Sequence, residues 1–192
     1  SFSCDTYSRG ANMDRQIIVS VGREFGSGGH EVARKLAAKL DIQYYDRSLL
    51  DEFADQNDLD AELLQKYDEA PRFKFFSRTV RGYSNNPMDN IAEIQNALLR
   101  SKAVDDDSFV IVGRCAEEVL KDFDGLVSIF ICADHADRVK HVSKKFNISE
   151  KEAEKKMARH DKHRKAYHDH FTNGKVWGDS RTYDVCVNVS KL

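Results

Sequence analysis

Ile17-Ile18-Val19-Ser20-Val21-Gly22-Arg23-Glu24-Phe25-Gly26-Ser27-Gly28-Gly29-His30-Glu31-Val32 is the stretch on which the reading of this chain turns. Its β-branched opening favours a strand. Val32, Leu36 and Leu40 recur at helical spacing after it, which predicts an amphipathic helix. Between the two, Gly26-Ser27-Gly28-Gly29 lets the chain fold back, so that successive backbone N–H groups and the positive end of the helix can face one anion. A glycine turn alone is equally compatible with a structural bend. Strand, glycines and helix in this order are what a phosphate cradle needs. Glu31 falls in the first helical turn, where the dipole favours a carboxylate. The pattern G-x-x-x-x-G-K-[ST] would place Lys and then Ser or Thr after Gly28, whereas Gly29 and His30 stand there.

The chain of 192 residues fits one globular domain with an appendage. Its net charge of −2 gives no argument for nucleic acid or a membrane surface. No apolar run approaches the length needed to span a bilayer. Cys4, Cys115, Cys132 and Cys186 have neither metal-ligand nor disulfide-framework spacing, and a reducing cytoplasm is the expected compartment. Residues 1–12 are patternless and are expected to be a tag or disordered leader before Met13, leaving 13–192 as a single domain.

Five strands are expected, at 16–22, 42–46, 108–114, 127–133 and 183–189. Several are continuous apolar runs, as in a parallel sheet covered on both faces. Helical stretches alternate with them, which predicts an open α/β sheet. The chain stops at Leu192 directly after a strand, where a final helix is expected. Two insertions interrupt the alternation. Residues 51–87 mix helical pattern with aromatics and cations, include a loop at 82–87, and lead into an Ile91, Ile94, Leu98 stripe. Residues 134–174 read as a long, polar, mobile helical pair; His135 to His170 holds six of the seven histidines. His160, His163, Arg164, Tyr167 and His168 share one helical face. That face reads either as a phosphate clamp or as a solvated surface. Trp177 is expected to pin the return of this insertion to the core, and Tyr183 with Asp184 to pack and cap the last strand.

The stretch from Val21 to Ala33, followed by Tyr44-Tyr45-Asp46, Phe109-Val110-Ile111-Val112-Gly113-Arg114-Cys115-Ala116, Trp177-Gly178-Asp179 and Tyr183-Asp184, resembles the cytidylate kinase-like family. The resemblance implies the fold of P-loop nucleoside monophosphate kinases: a three-layer α/β sandwich, a five-stranded parallel sheet, a helical acceptor arm at 51–87 and an arginine-bearing lid at 134–174. It implies ATP and Mg2+, with a small-molecule nucleotide as acceptor. Arg23, Gly26, Ser27, Gly28, Gly29 and His30 would hold phosphate, and Asp46 and Arg114 would orient the acceptor. Arg114, Arg159 and Arg164 would act on the transferring group. Gly29 and His30 stand where the family has its phosphate-binding Lys and its magnesium-binding Ser. Cys115 replaces an Asp associated with the metal, Glu52 lies near an expected acceptor Arg, and Met157 takes the place of a lid Arg. The metal ligands therefore stay unknown.

Phosphoryl transfer asks the protein for positioning and for cations around the phosphate oxygens. Two readings remain open: an ATP-dependent kinase, or a nucleotide-binding sensor with a degenerate loop and little turnover. RNA binding by the lid and arm surfaces is a third, without a recognised motif to support it.

Overall fold

A computed structural model describes residues 15–46, 79–80, 83–84, 87–113 and 115–192, with the side chains of 79–94 and of 98 outside that set. The expected leader, Glu52, most of the acceptor arm and Arg114 lie outside the described residues. In chain order the elements are β1 (Ile18–Arg23), α1 (Gly29–Leu40), β2 (Gln43–Tyr45), β3 (Thr79–Val80), β4 (Tyr83–Ser84), α2 (Pro87–Val104), β5 (Phe109–Val112), α3 (Ala116–Val119), β6 (Leu126–Cys132), α4 (His135–Phe146), α5 (Glu150–Phe171) and β7 (Val185–Asn188).

β1, β2, β5, β6 and β7 form one sheet in the order β2-β5-β1-β6-β7, and every pairing in it is parallel. This is the five-stranded parallel α/β sheet that the apolar runs predict. Alternation of side chains along each strand sorts the core into two faces. Ile18, Phe109 and Ile111 meet Leu99 and Ala103 of α2 and Ala116, Val119 and Leu120 at α3. Val19, Val21, Val110 and Val112 meet Ala33 and Ala37 of α1. The small alanines bring α1 close to the sheet, and Val32 and Leu36 of the expected stripe pack beside them. The neighbouring strands β1 and β5 thus send their connections to opposite faces, which opens a crevice at their carboxyl ends, the usual ligand position in open α/β sheets.

Tyr83–Ser84, expected in a loop, pairs antiparallel with Thr79–Val80. The Ile91, Ile94, Leu98 stripe falls on side chains outside the described set. Trp177 lies edge-on to Phe130 at 5.3 Å, and a Cβ at Gly178 would come within 3.1 Å of the same ring, so the segment after α5 is held to the sheet as expected. Asp184 precedes β7 and accepts from the backbone N–H and hydroxyl of Ser128, at 2.8 and 2.7 Å.

The helical pair departs most from its sequence reading. α4 and α5 carry a core of their own, in which Val139, Val142, Ala153 and Met157 are buried and Phe25 and Ile148 pack against them. A cation-rich surface hides this apolar seam, and the seam includes a residue of the glycine loop.

Candidate phosphate-binding site

The turn between β1 and α1 is built around two left-handed glycines, Gly26 (φ 83°) and Gly28 (φ 77°), a conformation that glycine adopts without the cost other residues bear. Ser27 closes the turn by donating its hydroxyl to the Glu24 carbonyl at 2.9 Å. Gly28 precedes α1, and its carbonyl accepts from Glu31 and Val32 at 2.9 and 3.1 Å. The N–H groups of Gly26, Gly28, Gly29 and His30 meet no backbone acceptor among the described residues. Four donors at a helix start, flanked by left-handed glycines, form a concavity of the kind that suits an anion.

Arg23 runs from the end of β1 across the crevice. Its Cβ and Cγ lie 2.6 and 3.0 Å from the point where a Cβ on Gly29 would stand. Its guanidinium covers Gly113, whose φ is 85°. Arg23 Nη2 reaches His30 Nε2 at 3.4 Å. A guanidinium only donates, so Nε2 accepts and the ring proton sits on Nδ1. That nitrogen lies 3.2 Å from the Tyr44 hydroxyl, which in turn donates to Asp46 Oδ2 at 2.6 Å. The hydrogen-bond chain from Arg23 through His30 and Tyr44 to the accepting carboxylate of Asp46 therefore runs from the cradle to the carboxyl end of β2, and it requires a neutral His30. Consistently, burial first and the Arg23 charge second lower the pKa of His30 to about 4, against the opposing pull of Asp46. Burial, with Asp46 beside it, raises that of Tyr44 to about 12.

A histidine pKa lowered by folding makes the unfolded state the better proton acceptor, so His30 subtracts stability as pH falls from about 6.5 towards 4. In NMR titrations of the ring nitrogens, His30 is expected to titrate near 4 in the parent. Its midpoint should rise in R23A and fall further in D46N. An ordinary histidine midpoint that ignores both substitutions would refute the donor chain.

The loop is also held from the side of the α4–α5 pair. Arg138, buried on α4, donates through Nε to the Phe25 carbonyl at 2.8 Å, pairs with Glu24 at 3.1 Å and pairs with Asp161 of α5. Asp161 accepts from the Phe25 N–H at 2.7 Å, and Glu24 accepts from the Ala133 N–H at 3.2 Å. His160 stacks on Phe25 with centroids 4.2 Å apart. Arg164 lies over the same ring at 5.4 Å and donates to the Arg23 carbonyl at 3.2 Å. The site thus brings together two arginines and N–H groups that meet no backbone acceptor among the described residues, with a carboxylate and a phenol at its edge. That arrangement can bind a polyphosphate and hold a second small molecule beside it.

Residues 18–191 match the model of the cytidylate kinase-like family. The chain belongs to that family. A crystal structure of an uncharacterized protein from Eubacterium ventriosum is 39% identical, with 92% of this chain and 90% of that one covered and a TM-score of 0.72. Shikimate kinase from Bacteroides thetaiotaomicron is similar in fold at 10% identity, with a TM-score of 0.52 over 91% and 87% of the two chains. TT1252 from Thermus thermophilus is likewise similar at 13% identity and 0.51, over 91% and 88%. A search of curated proteins finds no match.

Among the residues expected to form the site of this cytidylate kinase-like chain, Arg23, Gly26, Ser27, Gly28, Gly29, His30, Asp46 and Arg164 converge on the crevice. Arg114 lies outside the described residues, although Gly113 and Cys115 on either side of it are both left-handed. Arg159 is exposed on α5. Five residues before Arg164, it points about 140° away around the helix. Met157, at the place of a lid arginine, is buried in the α4–α5 core. His168 is buried rather than displayed on the cationic face, 3.4 Å from Glu117, which accepts from Ser20 at 3.0 Å. Asp161 was legible through Asp161-x-x-Arg164, which partly resembles the family's lid motif, whereas Arg138, which organises the loop with it, was legible only as a member of a charged helix surface. The signal available for Arg138 was its i, i+4 relation to Val142.

Proposed function

We propose that this chain transfers a phosphoryl group from ATP to a small-molecule acceptor, of nucleotide type, that sits beside Asp46. The observation that carries this reading is the preformed cradle: four N–H groups that meet no backbone acceptor among the described residues, at the carboxyl edge of a kinase-type sheet. In this reading the cradle and Arg23 hold the donor phosphates. Arg164 meets the charge that develops during transfer, and Asp46 orients the acceptor together with Arg114. Arg159, being exposed, would join only if α5 turned about its axis.

The described residues do not fit a protein-held magnesium ion. His30 stands where a hydroxyl ligand would be, its Nε2 faces Arg23, and imidazole suits this hard cation poorly. Among the described residues no cluster of His, Cys, Asp or Glu is arranged to hold a metal. No step is therefore assigned to a metal held by side chains. No helix of the described residues is long and apolar enough to cross a membrane, and a cytoplasmic site of action belongs to the same proposal.

Gly29 and His30 also favour a second reading, a nucleotide sensor that binds without efficient transfer. A coupled assay with ATP, magnesium and a panel of nucleoside monophosphates, nucleosides and other hydroxyl or phosphate acceptors separates the two. Acceptor-dependent release of ADP is the expected result. ATP binding without turnover on any acceptor would leave the sensor, and absence of ATP binding would refute both.

A further inference from the structure

We propose that Gln95, on the buried face of α2, is a specificity residue of the acceptor site and hydrogen-bonds the base of a nucleotide acceptor. This rests on the kinase reading above and names the residue that recognises the part of the acceptor remote from the transferring group.

Gln95, Leu99 and Ala103 follow one another at intervals of four along α2, with 2, 0 and 2% of their surface exposed, and so form one stripe on the helix. Leu99 and Ala103 pack on Ile18, Phe109 and Ile111. The stripe therefore faces the sheet, and at its far end stands an amide where a third apolar side chain would continue the packing. Gln95 Nε2 is buried and meets no hydrogen-bond partner among the described residues. Other buried polar groups on this face are matched: the Ser20 hydroxyl donates to Glu117 at 3.0 Å, and the second oxygen of that carboxylate lies 3.4 Å from His168. A buried donor without an acceptor is costly, and its retention calls for an acceptor from outside the chain.

The direction of α2 puts this residue at the ligand end of the sheet. The carbonyl of Ala103, in the last turn, accepts from the side chain of Gln16, just before β1, at 2.7 Å. α2 therefore ends at the amino edge and runs against the strands. Eight residues back, Gln95 stands about 12 Å further along, while β5 rises about 10 Å from Phe109 to Val112. Gln95 is thus level with the end of β5, where Gly113 turns with a φ of 85°. α3 agrees with this placement, since its far end, the Val119 carbonyl, accepts from Arg100 at 3.3 Å, which leaves Gln95 nearer its start. Asp46 follows β2, the strand that pairs with β5. α1 and the cradle lie over the other face of the sheet. An acceptor that presents its reacting group towards Asp46 and the cradle can therefore extend its opposite end to Gln95.

The chemistry of the side chain selects that end. An amide offers two N–H donors and no charge. Phosphate and carboxylate groups are better met by a cationic fork. A base carries carbonyl oxygens and ring nitrogens in one plane, which a neutral planar amide matches. A buried donor also rejects ligands that lack the matching acceptor, because it is then left unpaired.

The test compares ligands with and without a base. Binding of cytidine, uridine, adenosine and guanosine 5′-monophosphates, and of ribose 5-phosphate, is measured by calorimetry for the parent, Q95M and Q95L, with thermal unfolding of each. The parent is expected to bind at least one nucleotide more tightly than ribose 5-phosphate. Q95M keeps most of the volume and removes the donor, so that nucleotide should bind about tenfold to a hundredfold more weakly, while ribose 5-phosphate binds as in the parent. Q95M should also unfold at the parent's temperature or above it, because no donor is left unpaired in the free protein. An amide that merely held the fold would lower the unfolding temperature and weaken both kinds of ligand alike, and that result would overturn the proposal. So would parent-like nucleotide affinity in Q95M. Should Q95M fail to fold, Q95L decides on the same criteria. A parent that binds none of the five ligands, or binds ribose 5-phosphate as tightly as every nucleotide, would also overturn it. The kinase reading is judged apart from this, by acceptor-dependent release of ADP in the coupled assay.

Discussion

Replacement of Arg138 by alanine is expected to destabilise the fold by about 3–5 kcal/mol, because it leaves two carboxylates in a largely water-excluded setting without their partner. Arg138 has 9% of its side-chain surface exposed, against 25% for Glu24 and 19% for Asp161. Exposed pairs contribute little, whereas a buried charge stripped of its partner is costly. For a chain of this size the loss corresponds to a drop in Tm on the order of 10 °C. R138M keeps the aliphatic volume and should recover little of it, and R138M/E24Q/D161N should recover a good part. Urea unfolding measures each. A loss below about 1 kcal/mol in R138A, the range of a solvated ion pair, would refute the role assigned to it.

The second large effect is expected at Gly26, by contrast with Gly28. Both are left-handed, so alanine at either bears roughly 1–2 kcal/mol of backbone strain. At Gly26 the new Cβ would also lie 2.6 Å from Val142 Cγ2 and 3.3 Å from the Arg138 carbonyl oxygen, while at Gly28 nothing stands within 4 Å. Overpacking adds about 1–3 kcal/mol, so G26A should lose about 2–4 kcal/mol in denaturant unfolding and G28A only the smaller backbone part. Binding should reverse the order of sensitivity relative to stability. G28A leaves the helical pair docked yet sets a methyl group beside the N–H donors, so tripolyphosphate affinity falls in a protein that is still well folded. Equal stability losses in the two variants would sink the argument.

The parallel sheet was legible because both of its faces are covered and its strands are therefore continuous apolar runs. The cradle was legible because its glycines, strand and helix are contiguous. The path of Arg23 was not, since it depends on two glycines, one six residues away and the other ninety, that meet only after β1 and β5 pair. The docking of the α4–α5 pair was hidden for a related reason. Its apolar positions are few and spaced on two helices, and their common partner, Phe25, belongs to a loop whose reading was dominated by glycine. Met157 shows the limit of resemblance. The position where the resemblance implies a further lid arginine turns inward here, into the apolar seam with Val142, Ala153 and Phe25.

That inward turn bears on how such a site can diverge. Phe25 carries the loop's backbone contacts to Arg138 and Asp161 while its ring joins the cluster of Val139, Val142, Ala153 and Met157. Substitutions at those four apolar positions alter how firmly the cradle is held without touching any atom that faces an anion. A lineage could thus retune the grip of its loop, tightening or loosening it in small steps, through residues that an inventory of ligand contacts would never include.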